Sequence, residues 1–413
     1  MTTSNLGPFV PALLRVLLQR RRHFCWIVSA LLLTACGGGD GPKSPPLPVG
    51  PQPPGGSGPP LAVTFATGLD HPWGLAFLPD GRALVTERPG RMRIVGTDGV
   101  LSAPLTGLPA VHAAEQGGLL DVAVDPDFAN APWVYFSYAE EGPGGTSGTA
   151  VARGLLSGTA LGSVSVIFRQ QPKVAGSNLH YGARLVFAND GTLFVTLGER
   201  HTDDPAAPTS DNAQNLGNHL GKVVRINRDG TVPADNPYVG AAGVRPEIWS
   251  FGHRNPQGAA INPASGELWL DEHGPQGGDE VNRIRPTRNY GWPLRSYGCP
   301  DRSPIGAACA VGGGTHEPNY EEPLYKWVPM SIAPSGMMFY TGDVFPDWRG
   351  SVFVGALQGQ ALWRLPVIGN SVGAPESLFS SLGERIRDVR QGPDGLIYLL
   401  TDSANGRIVR IQR

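Results

Sequence analysis

SNLHYGARLVFANDGTLFVTLGER, residues 177–200, reads as two strand-like runs, Ala183 to Ala188 and Thr192 to Leu197, joined by Asn189, Asp190 and Gly191. That junction is the chemistry of a tight β-hairpin. His180 stands just ahead of the hairpin, at a loop–strand boundary where an imidazole of near-neutral pKa can serve as a base. A hydrogen-bonded or surface His is the competing reading for one of nine in the chain.

The same unit, an apolar run, a turn built on Pro, Asp, Asn or Gly, and a second apolar run, recurs six times. The copies cover residues 74–88, 119–138, 183–199, 258–274, 336–357 and 386–402. Each predicts the inner hairpin of an antiparallel sheet, with segments such as Val223 to Ile226 and Ala361 to Leu365 supplying outer strands. Gly 57 and Pro 40 in a chain of 413 imply many turns, and long amphipathic helices are hard to find. Radial repetition of such sheets predicts an all-β fold, a six-bladed β-propeller of four-stranded antiparallel sheets. An irregular sandwich or barrel is the alternative.

The N-terminus carries Arg20, Arg21 and Arg22, then the apolar run Phe24 to Ala35, then Cys36 and Gly37. This is an export signal, too short to remain as a membrane span. It resembles a bacterial lipoprotein signal, which would make Cys36 the lipidated first residue of a mature chain anchored at the periplasmic side of the outer membrane. An ordinary secretory signal with an incidental Cys is the alternative. Residues 37–60 hold 17 Gly or Pro out of 24 and no aromatic residue, so they form a tether rather than a core. Residues 1–36 therefore read as signal, 37–60 as tether and 61–413 as one propeller domain. The formal charge of -2, from 33 basic and 35 acidic residues, gives no electrostatic reason to expect a nucleic-acid partner. Cys299 and Cys309 share one loop, and in an exported protein a short-loop disulfide is the expected state.

Polar residues gather in EQGGLLDVAVDP (115–126), SFGHRNPQG (250–258), DEHGPQGGDEVN (271–282) with NYGWP (289–293), and ERIRDVRQGPDG (384–395). Taken in order with LHYGARLVF, this set resembles the soluble pyrroloquinoline quinone (PQQ) sugar dehydrogenases, in particular the bacterial aldose sugar dehydrogenases, over residues 62–413. The resemblance implies a propeller with PQQ and calcium on its top face. It implies His180 as the base for the C1 hydroxyl of an aldose, and Gln116, Arg254 and Asn255 as contacts to cofactor or substrate. It places Arg385 and Arg387 against the PQQ carboxylates, where two guanidinium forks on one strand face would grip a planar tricarboxylate. It further implies main-chain calcium ligands at Gly274 and Pro275, and a second calcium position at Glu280 and the Tyr290 carbonyl.

Two positions depart from the family pattern. Leu179 stands where glucose-specific relatives carry an Asp before the catalytic His, so the carboxylate that orients the imidazole must come from elsewhere or be absent. Gln358 stands where the motif GALK supplies a Lys near the cofactor; an amide can hydrogen-bond there but contributes no charge. The function these residues imply is PQQ- and calcium-dependent oxidation of aldoses at C1 to lactones, with electrons passed to an external acceptor. A calcium-dependent propeller lactonase and a non-catalytic binding propeller are the alternatives.

Overall fold

In the computed structural model, residues 58–205, 211–301, 303–304 and 307–413 are described. The expected signal, the lipidated Cys36 and most of the tether lie outside them.

The described chain is all strand and turn, apart from five single-turn 3-10 segments. Six sheets follow one another along the sequence, beside a small two-stranded ribbon at Val367–Ile368 and Ser371–Val372. Their first strands are Pro72–Phe77, Leu119–Val124, Gly182–Phe187, Pro256–Ile261, Pro334–Phe339 and Ile386–Gln391. Each packs against the next, and the last against the first, so the ring closes. The six expected hairpins coincide with the six inner strand pairs. The turn chemistry recurs: Gly81, Gly191 and Gly395 take φ of 88°, 82° and 76°, and each N–H closes the turn onto Leu78, Ala188 or Gly392. A Cβ is disfavoured at such a φ, which is why Gly ends the turn.

Not every blade has four strands. The first has three, Pro72–Phe77, Ala83–Glu87 and Arg91–Val95, and the second gains a short fifth strand, Val174–Ala175. The last sheet is completed by the opposite end of the chain: Leu61–Leu69 pairs antiparallel with Gly406–Gln412 as its outer strand. This closure places Ala66 and Leu69 in a core with Val409 and Ile411.

All six inner strands carry a register shift near their third residue. Those third positions read Gly74, Asp121, Arg184, Gly258, Gly336 and Asp388. A Cβ on Gly336 would lie 2.3 Å from Asp388 Oδ1, and one on Gly258 would lie 2.3 Å from Asp271 Oδ2. The six inner strands, packed in a closed ring, line a central channel, which has room for charged side chains only because three of these six positions have none. Arg184 Nη1 sits 2.9 Å from Asp121 Oδ1 and 3.2 Å from Asp388 Oδ1, and Arg390 bonds the same two carboxylates. These buried charges are compensated as a network, which is the condition for tolerating them.

Candidate active site

His180 lies at the mouth of the channel, where the third blade begins. The adjacent strand end packs so closely that a Cβ on Gly198 would fall 2.1 Å from the His180 carbonyl. His180 itself takes φ 49°, a left-handed conformation that non-Gly residues adopt under constraint. Its N–H donates to Gln116 Oε1 at 2.8 Å, and its Nδ1 lies 2.5 Å from Glu199 Oε1. Glu199 Oε2 accepts the main-chain N–H groups of Thr202 at 2.5 Å and Asp203 at 2.9 Å. A carboxylate so placed accepts from Nδ1–H, which leaves the lone pair on Nε2. Burial, then the charges of Arg254 and His201, hold the His180 pKa well below 6.5, while Asp301 pulls the other way. Burial pushes Glu199 up, opposed by Arg254 and the two N–H donors. Both burial effects favour uncharged groups. The two main-chain N–H donors and the Arg254 charge keep Glu199 the carboxylate, and the imidazole is the neutral partner.

Beside His180 opens a cavity of about 150 Å³ whose wall includes Trp73, Arg88, Gln116, Tyr181, Arg385 and Arg387. Arg88, Arg385 and Arg387 all face one carboxylate, Asp402, at 3.9, 3.0 and 3.6 Å. Three guanidiniums on one carboxylate leave a positive excess. Arg387 is buried and its Nε has no partner, while its Nη1 donates to Gln257 Oε1 at 2.9 Å. Burial, reinforced by Arg385, Arg88 and Arg184, pushes its pKa down to about 10, so it stays charged at neutral pH. Such a cradle fits a planar ligand with several carboxylates, and Trp73 beneath Arg184, at 4.5 Å, gives it a flat aromatic wall.

A second, ion-sized void of about 10 Å³ is lined by Glu272, Glu280, Tyr290, His316 and Gly274 among others. Asn282 Nδ2 bridges Glu272 at 3.1 Å and Glu280 at 3.2 Å. Burial first, then Glu272, raises the Glu280 pKa well above 4.5. His316 is buried with neither ring nitrogen hydrogen-bonded, and its Nε2 lies 3.6 Å from Glu280 Oε1. Among the described residues no three His, Cys, Asp or Glu side chains form a ligand cluster, so a cation here would draw on main-chain carbonyls. The paired buried carboxylates and the unpartnered polar atoms fit that role.

The residues singled out from sequence are thus distributed over two neighbouring voids. Gln116, Arg385 and Arg387 line the larger one, and His180 stands at its edge through Gln116 and Tyr181. Arg254 lies in the smaller, its Nη1 donating to the Gly274 carbonyl at 2.8 Å. Asn255 is fully buried and accepts from Gln257 at 2.9 Å, so it supports Arg387 from below. Gln358 is exposed; its neighbour Leu357, not Gln358, lines the cavity. Pro275 is partly buried beside Gly274. Cys299 and Cys309 are joined as a disulfide.

Sequence reasoning missed Glu199, Arg88, Trp73, Asp402 and His316. For Glu199 a signal existed: the hairpin pairs Gly182 with Leu197, and continuing that register by two residues sets His180 opposite Glu199. Asp402 had a signal of the same kind, since Ile386 pairs with Thr401 and one further step sets Arg385 opposite Asp402. Trp73 and Arg88 on the first blade and His316 on the fourth have no local signal.

A sequence profile of the Glucose / Sorbosone dehydrogenase family matches residues 69–410. An aldose sugar dehydrogenase of Escherichia coli strain K12 is 44% identical over 346 residues, 83% of this chain and 90% of its own length. The crystal structure of the soluble aldose sugar dehydrogenase from Escherichia coli, in the apo-form, superposes with a TM-score of 0.79 at 43% identity, covering 86% of this chain and 99% of that one. The PQQ-bound aldose sugar dehydrogenase of Streptomyces coelicolor gives a TM-score of 0.67 at 29% identity, covering 86% of this chain and 98% of that one.

Proposed function

Because this chain belongs to the glucose/sorbosone dehydrogenase family and is a sugar dehydrogenase, we propose that it oxidises aldoses at C1 to lactones with PQQ and calcium, passing the electrons to an external acceptor. The observation that carries this reading is the His180–Glu199 pair set beside a cavity with an excess of guanidinium charge.

Arg385, Arg387 and Arg88 would hold the carboxylates of the quinone, and Gln116 would hold its edge nearest His180. Gly274 and Pro275 would offer carbonyls to one cation, and Glu280 with the Tyr290 carbonyl would hold another. When bound, the quinone supplies the acceptor for the hydride that leaves C1. His180 takes the C1 hydroxyl proton at Nε2, and Glu199 stabilises the imidazolium so formed. Gln116 and Glu199 together fix the ring, so the base meets its substrate in one orientation. In place of the missing Asp at Leu179, the orienting carboxylate is that of Glu199. Export, supported by the signal-like N-terminus and the disulfide, completes the reading, with anchoring through Cys36 resting on the lipoprotein-like sequence alone.

The test is an absorbance titration of the apo protein with PQQ and calcium, followed by an aldose and an artificial acceptor. Dye reduction that needs both additions supports the reading. Full activity without PQQ, or with a nicotinamide cofactor instead, overturns it.

A further inference from the structure

The disulfide loop reaches back to the base. Gln276 and Cys299 exchange main-chain hydrogen bonds in both directions at 3.0 Å. Gln276 Nε2 also donates to Pro300 O at 2.7 Å and to Ser303 O at 3.2 Å. These bonds and the Cys299–Cys309 link tie the loop to the segment that carries Gly274 and Pro275. They present Asp301 with its carboxylate 3.9 Å from Arg254 Nη2 and 3.9 Å from His201 Nε2. His201 in turn meets His180 edge-on, with ring centroids 5.0 Å apart. Arg200 and His201 take φ of 64° and 55°, which adds two constrained residues to the one at His180. Left-handed non-Gly residues persist where their surroundings over-determine them, and they collect at functional sites.

Resting on the sugar-dehydrogenase reading, we propose that Asp301 is a specificity-determining residue. Its carboxylate accepts hydrogen bonds from hydroxyls of a neutral aldose seated over His180, and it disfavours sugars that carry their own carboxylate or phosphate. Without it, this end of the site would favour anions. Arg254 is buried, its ion pair with Asp301 is the one it makes among the described residues, and three more guanidiniums line the neighbouring cavity. A positive cleft raises the local concentration of anionic solutes. The Asp301 side chain is 54% exposed, so its oxygens can serve a ligand while balancing Arg254. An ionised carboxylate is an acceptor only, suited to hydroxyl donors and opposed to other anions.

The experiment compares kcat/KM for glucose and for glucuronate in the PQQ-loaded full chain, as wild type, Asp301→Asn and the double variant Cys299→Ser, Cys309→Ser. Asp301→Asn should raise KM for glucose about fivefold, and the glucose-to-glucuronate ratio should fall about tenfold as one charge is removed. PQQ affinity, read by absorbance, should stay within about twofold. A loop that merely packs would change both substrates alike, the pattern expected of the double cysteine variant. An unchanged ratio in Asp301→Asn, with an active wild type, overturns the assignment of Asp301 and leaves the sugar-dehydrogenase reading standing. A loaded wild type that oxidises no aldose overturns both.

Discussion

Glu199 decides what His180 can do. A neutral imidazole with Nδ1–H held by a carboxylate exposes Nε2 as the base, and the opposite tautomer would present a proton where a lone pair is needed. We therefore expect Glu199→Gln to lower turnover by about 100-fold or more while PQQ still binds, because the amide neither stabilises the imidazolium nor fixes the tautomer. The pH dependence follows from the same surroundings. A base must be unprotonated to act, and burial with Arg254 and His201 holds the His180 pKa well below 6.5, so the acidic limb of kcat/KM should lie below pH 6.5. In Glu199→Gln it should move lower still, since the carboxylate that favours the cation is gone. An acidic limb above pH 6.5 in the wild type would contradict this. Arg387→Ala should weaken PQQ binding more than Arg385→Ala, because the Arg387 side chain is 9% exposed and that of Arg385 45%, and screening by water weakens the outer charge. Isothermal titration distinguishes the two. At this scale the sequence showed the individual residues, His180, Arg385 and Arg387, but not their partners. Asp402 shares a hairpin with Arg385 and Arg387, but Arg88 belongs to the first blade, and only ring closure brings it to that carboxylate.

Hairpins were the legible elements, because each is local: two apolar runs and a turn built on Pro, Asp, Asn or Gly determine it within about 15 to 20 residues. Outer strands were less so. The missing fourth strand of the first blade and the added strand of the second depend on pairings that no short segment announces. The register shift in every inner strand was likewise invisible, although its consequence is plain in the third positions, where Gly74, Gly258 and Gly336 share the six places with Asp121, Arg184 and Asp388. Gly336→Ala tests that packing. Its Cβ would stand 2.3 Å from Asp388 Oδ1 and 2.6 Å from Asp388 Cα, and backbone cannot step aside as a flexible side chain can. The cost should be about 2–3 kcal/mol, or about 3–4 °C in Tm for a domain of this size. A calorimetric scan within about 1 °C of the wild type would mean that the channel yields more than its geometry implies. Lys222 offers a contrasting case on a middle strand: its Nζ donates to the carbonyls of Asn212, Ala213 and Leu220 at 2.9, 3.0 and 2.6 Å. Lys222→Met keeps the stem but strips a donor from all three; Ala213 O keeps the Gly252 N–H and Asn212 O the Asn215 N–H, so the Leu220 carbonyl carries most of the loss, which should be about 2 kcal/mol in denaturant unfolding.

For the whole molecule, the decisive contact joins the two ends of the described chain. The strand Leu61–Leu69 completes the sheet whose innermost strand, Ile386–Gln391, carries Arg387 and follows directly on Arg385. On the proposed reading, stability and PQQ affinity are therefore coupled through one blade. Deleting residues 58–69 would leave Gly406–Gln412 as an open edge and uncover a core that includes Val409 and Ile411. An unpaired edge strand over exposed apolar surface both destabilises and invites association. The truncated chain should melt at least several °C lower and aggregate more readily, and its PQQ affinity should fall even though no residue of the cradle has been changed. Ligand linkage supplies the converse. Binding to the folded state alone stabilises it by about 2.7 kcal/mol when the ligand stands at 100 times its Kd, so PQQ with calcium should raise Tm in a concentration-dependent way. That rise should need higher PQQ in the truncated chain than in the full chain. If the truncated protein instead melts and titrates like the full chain, the terminal strand is an ornament on the last blade and the ring is held shut by its inner strands alone.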